Sequence, residues 1–187
     1  MIYIIRHTQS QANLKNIAGG DYPLTDKGIR DAENLKKQIE LCPDFLLVSP
    51  LVRAQQTARI LFPGKKIITD KTFREIHFGK YEDKPMTDDE FLKIYNTTPS
   101  RLHEISLGDV IKKRADEAII KLLDYWPRGQ TVIVSHDTLI RAIICRLRGE
   151  SLDNMPKYKP LVTNGSILSI SFATPMNLMN NGKITII

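Results

Sequence analysis

The 187-residue sequence predicts an α/β fold, a three-layer α/β/α sandwich around a mostly parallel sheet. Three observations lead to it. Short apolar runs without alternation, among them IYII and VIV, read as strands buried on both faces. They alternate along the chain with amphipathic helical segments, the arrangement that parallel strands need for their crossovers. No internal repeat, low-complexity tract or Pro-rich linker divides the chain, and its length suits one domain spanning 1–187.

The elements follow in order. Ile2 to Ile5 is the first strand. Thr25 can cap a helix from Asp26 to about Leu41, with Ile29, Ala32, Leu35 and Ile39 on one face. DFLLVS is the second strand and SPLVRAQQTARIL the second helix, with Ser49 as N-cap and Pro50 at its first position. KKIIT is a short third strand. The pattern then loosens until Ser106, after which Leu107, Val110, Ile111, Arg114, Ala115, Ala118, Ile119, Leu122 and Leu123 keep helical spacing. QTVIVS is a strand of central type, followed by a helix through DTLIRAIICRLRG that Gly149 ends. GSILSISF and KITII, the latter preceded by the turn signal NNG, close the chain as two strands.

Composition narrows the function. A hydrophobic fraction of 42% and a charged fraction of 26% fit a water-soluble globular protein, and no apolar run approaches a membrane span. The apolar stretch at 2–5 is too short for a signal peptide and is cut off by Arg6, so the expected location is the cytoplasm. The two cysteines, Cys42 and Cys145, belong to no CxxC pair, and Cys145 reads as a small buried hydrophobe. A net charge of +6 favours anionic partners. The lysine pairs are dispersed and not interleaved with aromatics, which points away from nucleic acid and towards a small phosphorylated metabolite.

In parallel sheets ligands bind beyond the carboxyl ends of the strands, so the residues that follow each strand carry the chemistry. The first strand delivers Arg6 and His7, the second Ser49 and Arg53, the segment FREIHFG delivers Glu75, and the QTVIVS strand ends on Ser135 and His136. Two arginines, two histidines and a carboxylate thus meet at one rim. Arginine offers a planar fork of donors that matches phosphate oxygens and keeps its charge. Nearby positive charge disfavours an imidazolium, which leaves His7 neutral and able to attack phosphorus as a covalent catalyst. Glu75 is then the proton donor to the leaving alkoxide, and His136 stabilises charge on the equatorial oxygens. His77 and His103 have no such support.

These residues resemble the histidine phosphatase superfamily, also called phosphoglycerate mutase-like, through an ordered set over nearly the whole chain. IYIIRHTQSQAN is similar to its first strand and Arg-His signature, with Asn13 where the family has a phosphate-contacting Asn. YPLTDKGIRDA, SPLVRAQQTA, FREIHFGKYED and VIVSHDTLIRAI resemble its later blocks. The resemblance implies a phosphohistidine mechanism with His7 as nucleophile, Glu75 as proton donor, and Arg6, Asn13, Arg53 and His136 around the phosphate, with no metal or cofactor required. Three positions depart from the pattern. Thr8 replaces a Gly and would contribute its backbone amide to the phosphate. Asp137 replaces another and could hydrogen-bond His136 or cap the helix, the N-cap preference favouring the cap. Tyr81, Glu82 and Asp83 stand where the family has Trp-Glu-Gly, so Glu75 works alone or with Glu82.

The segment between Glu75 and His136 is compact and the chain ends on its last strand, which favours a hydrolase of small phosphomonoesters, of histidine acid phosphatase type and in the manner of the α-ribazole phosphatases. The alternatives are a phosphoglycerate mutase-type phosphotransferase and a non-catalytic phospho-ligand binding protein. The dipeptide at 136–137 lacks the further ligands of a metal-dependent HD phosphohydrolase. Residues 81–107, with a Thr87–Glu90 capping box and prolines at 85 and 99, are expected to form a partial lid, with Tyr22, Tyr81, Tyr95 and Tyr158 as candidates to line it.

Overall fold

In the computed structural model, residues 1–87, 90, 107–172 and 182–186 are described. Six strands, β1 (Ile2–Arg6), β2 (Phe45–Val48), β3 (Ile67–Thr69), β4 (Thr131–Ser135), β5 (Ile167–Phe172) and β6 (Gly182–Ile186), lie in the order β3-β2-β4-β1-β5-β6. The four strands from β3 to β1 run parallel, whereas β5 runs antiparallel to β1 and β6 to β5. The helices are α1 (Gln11–Leu14), α2 (Asp26–Gln38), α3 (Val52–Leu61), α4 (Leu107–Tyr125) and α5 (Asp137–Leu147).

Alternation along the strands divides their side chains between two apolar layers. Ile2, Ile4, Leu47 and Ile133 face a cluster with Ile111, Ala115, Ala118 and Leu122 of α4 and Leu139, Ile140 and Ile143 of α5. Ile5, Leu46, Val48, Val132 and Val134 face the other way, against Ala54, Ala58 and Leu61 of α3 and the partly buried Leu35 and Ile39 at the end of α2. Central strands covered on both faces explain the unbroken apolar runs. Cys145 lies fully buried in the first cluster, where burial pushes its thiol up to about 11.

Four local expectations need correction. Helix α2 ends at Gln38, and Ile39 is already extended, because Cys42 precedes Pro43 and the chain must leave the helical region before it. Helix α3 begins at Val52 with Leu51, not Ser49, in the capping position. Val110 lies on the outer face of α4, 41% exposed. Asp137 is the first residue of α5 and not its cap, a position occupied by His136. The Thr87–Glu90 capping box is present, with Glu90 N–H donating to Thr87 Oγ1 at 3.2 Å. Of the expected lid, 88–89 and 91–106, including Tyr95, Pro99 and His103, lie outside the described residues. Among the described residues no helix is long and apolar enough to cross a membrane.

Asp137 has work elsewhere. Its Oδ2 accepts from Nη2 of Arg141, a guanidinium with no exposed surface, at 2.7 Å, and its Oδ1 lies 3.6 Å from Arg6 Nη1. Removing one member of a buried ion pair leaves a charge without compensation. Asp137→Ala is therefore expected to destabilise the fold by about 3 kcal/mol, read as a lower denaturant midpoint, whereas a surface control such as Asp31→Ala should shift it little.

Candidate active site

The strand register assembles the site. Arg6 pairs with Ser135 across β1 and β4, and His7 N–H donates to Ser135 O at 3.0 Å, so the two strands deliver His7 and His136 side by side. Their ring centroids stand 5.1 Å apart. His7 is 3% exposed, and its Nδ1 lies 2.7 Å from Thr8 O. A carbonyl can only accept, so Nδ1 carries the proton and Nε2 keeps its lone pair. Burial, Arg53 and Arg6, in that order, hold the His7 pKa well below its ordinary value, with the Thr8 carbonyl opposing them. The result is a neutral imidazole with a defined nucleophilic nitrogen.

Arg53, in the first turn of α3, donates from Nε to His7 Nε2 at 3.1 Å and from Nη1 to Gly20 O at 2.7 Å. Arg6 donates from Nη1 to Val162 O at 2.6 Å. Asn13 closes the floor. Its Oδ1 accepts from the Ser10 amide, the Ser10 hydroxyl and Asn164 Nδ2, which fixes the side-chain amide with its own NH2 left to donate into the cleft. Arg6, His7, Asn13, Arg53 and Glu75 all line one cleft of about 360 Å³.

Glu75 is held by three backbone amides. Ile76 N–H donates to Oε1 at 2.9 Å, Leu139 N–H to Oε1 at 3.4 Å and Thr138 N–H to Oε2 at 3.2 Å, the last two at the N-terminus of α5. Those donors and Arg53 favour the carboxylate, yet burial first and Asp137 second outweigh them and raise the Glu75 pKa. The environment thus keeps a proton on Glu75 above the usual range while offering hydrogen bonds to the anion formed when that proton leaves.

Some predicted residues stand elsewhere. Thr8 does not line the cleft: its amide donates to Thr57 Oγ1 at 3.3 Å, and Thr57 Oγ1 donates to Arg53 O at 2.8 Å, so Thr8 docks α3 against the end of β1. Glu82 is no second acid beside Glu75. Its carboxylate accepts from Gly20 N–H and Phe78 N–H, each at 2.8 Å, and so staples the turn whose carbonyl holds Arg53. The left-handed Gly19 (φ +67°) lies under that carboxylate, where a Cβ would collide with it. Asp137 neither caps α5 nor bonds His136. The exposed His77 accepts from the Gly79 amide, and Tyr158 is buried against Glu150. Tyr22 and Tyr81 do not line the cleft either, whose apolar wall is Ile17, Ala18, Phe78 and Met86.

Sequence reasoning missed Asn164 and gave Ser135 and Arg114 no role of their own. Asn164 donates to His7 O and Asn13 Oδ1 from the turn before β5. Ser135 Oγ donates to Phe73 O at 2.9 Å, and Arg114 Nη2 donates to the carbonyls of Lys71, Thr72 and Arg74, so together they fix the segment that carries Glu75. An Asn-Gly dipeptide such as Asn164-Gly165 favours a turn, but nothing in it marks the direction of the following strand. Among the described residues no group of three or more His, Cys, Asp or Glu side chains is arranged to hold a metal ion.

Comparison with known proteins places this geometry. The model of the histidine phosphatase superfamily (branch 1) matches residues 2–179. A Hydrogenobacter thermophilus protein provisionally named phosphoserine phosphatase 2 is 31% identical over 172 residues, covering 82% of this chain and 81% of that one. The adenosylcobalamin/α-ribazole phosphatase of Escherichia coli is 27% identical over 166 residues, covering 82% of each. A mutant phosphoserine phosphatase of Entamoeba histolytica in complex with phosphoserine superposes with a TM-score of 0.81 at 24% identity, over 98% of this chain and 94% of that one.

Proposed function

The chain belongs to the histidine phosphatase superfamily, and from that premise we propose that it is a metal-independent phosphatase that hydrolyses small phosphomonoesters through a phosphohistidine on His7. The observation that carries the reading is the His7 ring: Nδ1–H is committed to a backbone carbonyl, which leaves Nε2 as the basic nitrogen, bonded to Arg53 Nε in a cleft that Arg6 also lines. The relatives named as phosphatases of phosphoserine and α-ribazole support the substrate class.

In this reading the phosphate dianion draws the Arg53 guanidinium off Nε2, and Arg6, Arg53, Asn13 and His136 take its nonbridging oxygens. His7 Nε2 attacks phosphorus in line as the P–O bond to the alkoxide breaks, and Glu75 protonates the leaving oxygen. Glu75, now a carboxylate, takes a proton from the water that attacks the phosphohistidine, which frees phosphate and restores both groups. The protein acts as a single-domain cytoplasmic enzyme.

The test is phosphate release from a panel of phosphomonoesters and bisphosphates, with and without a chelator. We expect turnover of one or more monoesters, unchanged by chelation and faster than that of any bisphosphate. Turnover abolished by chelator and restored by a divalent ion would overturn the metal-independent mechanism. Phosphate binding with no turnover of any ester would leave a binding protein.

A further inference from the structure

His136 is fully buried, and its two ring nitrogens have unequal surroundings. Nε2 lies 2.7 Å from Ser49 Oγ, whereas buried Nδ1 has no hydrogen-bond partner among the described residues. The distance alone does not say which atom donates. The rest of the Ser49 environment decides it. Ser49 has no exposed surface and its Oγ already accepts from Leu51 N–H at 3.2 Å, so its own proton needs an acceptor. His136 Nε2 is that acceptor.

The opposite tautomer fails twice. With the proton on Nε2, the Ser49 hydroxyl hydrogen would have no acceptor, and the Nδ1 lone pair would be buried without a donor beside a site built for an anion. With the proton on Nδ1, one donor alone is unsatisfied, and a phosphoryl oxygen can satisfy it. Burial and the charges of Arg53, His7, Arg6 and Arg114 also oppose a second proton on the ring.

We propose that Ser49 is a positioning residue that locks His136 as its Nδ1–H tautomer, so that a neutral histidine donates a hydrogen bond to the phosphoryl group. The two histidines then share one tautomer and divide its ends. In His7 the carbonyl of Thr8 occupies Nδ1–H and Nε2 reacts; in His136 the hydroxyl of Ser49 occupies Nε2 and Nδ1–H is left to donate. The functional half of this inference rests on the phosphatase reading, but the tautomer can be read without substrate.

The experiment is a nitrogen-resolved NMR spectrum of protein labelled in its histidine rings, with His136 assigned by its loss in His136→Gln. We expect a protonated Nδ1 and a bare Nε2 on His136 in the substrate-free wild type at neutral pH. A protonated Nε2 there overturns the inference whatever the activity proves to be. Ser49→Ala should give a mixture of tautomers and about tenfold lower kcat, with Ser49→Thr, which keeps the hydroxyl, closer to wild type. A folded Ser49→Ala variant that keeps the Nδ1–H tautomer overturns the positioning role even if it is slow. If the variant does not fold, the wild-type spectrum decides.

Discussion

His7→Ala is expected to lower kcat by a factor on the order of 10⁴ or more, because the variant has no covalent route and the remaining groups can only bind and orient. No other described imidazole can stand in. His136 is adjacent, but its Nε2 is engaged by Ser49, and His77 is exposed and bonded to its own turn. Phosphate binding should survive the substitution, since Arg6, Arg53 and Asn13 are intact and Arg53 Nε is released from its bond to His7. The measurements are steady-state turnover, acid-labile labelling of the protein by a phosphorus-labelled substrate, and phosphate affinity. Turnover within tenfold of wild type, or labelling of the variant to the same extent, would remove His7 from the mechanism.

The second large effect belongs to Glu75. Glu75→Gln keeps the shape and removes the acidic proton. A loss of about 10²–10⁴ in kcat is expected on an alkyl phosphate, whose alkoxide needs that proton. An aryl phosphate leaves without help, so its first step should be nearly unaffected, while the missing base slows hydrolysis of the phosphohistidine. Rapid mixing should then show a burst of phenol and accumulated phosphoenzyme. Equal losses on both substrates without accumulation would assign Glu75 to binding alone.

The same two groups set the pH dependence. His7 must be neutral to attack, and its pKa is held well below 6.5, so the rate rises through that lowered value on the acid side. Glu75 must be protonated to donate, and its pKa is raised, so the rate falls through a value above the ordinary carboxylate range. The expected kcat/KM profile is a bell centred on the acid side of neutrality, and Glu75→Gln should remove its alkaline limb on an alkyl substrate.

Much of this arrangement is legible in the sequence because parallel strands end on a common edge. An apolar run followed by Arg6-His7 and another followed by Ser135-His136 already place two functional pairs together. What escapes is whatever depends on partners distant along the chain. Ser49 before a proline reads as a helix cap, and only the structure shows its hydroxyl turned to His136. Whether Glu82 is a second acid stays open in the sequence until its two amide partners are seen. Asn164 escapes for a directional reason: β5 is antiparallel to β1, so the residues before it, and not those after it, sit beside His7.

That antiparallel return joins parts of the site that are distant in the chain. The hydrogen bonds from Asn164 to His7 and from Arg6 to Val162 span 157 and 156 residues. Contacts of such separation close late, after local helices and neighbouring strands have formed. Regain of catalytic activity on refolding is thus expected to trail regain of helical signal. For a chain under synthesis, His7 emerges well before the turn at 162–165 whose Asn164 fixes its backbone.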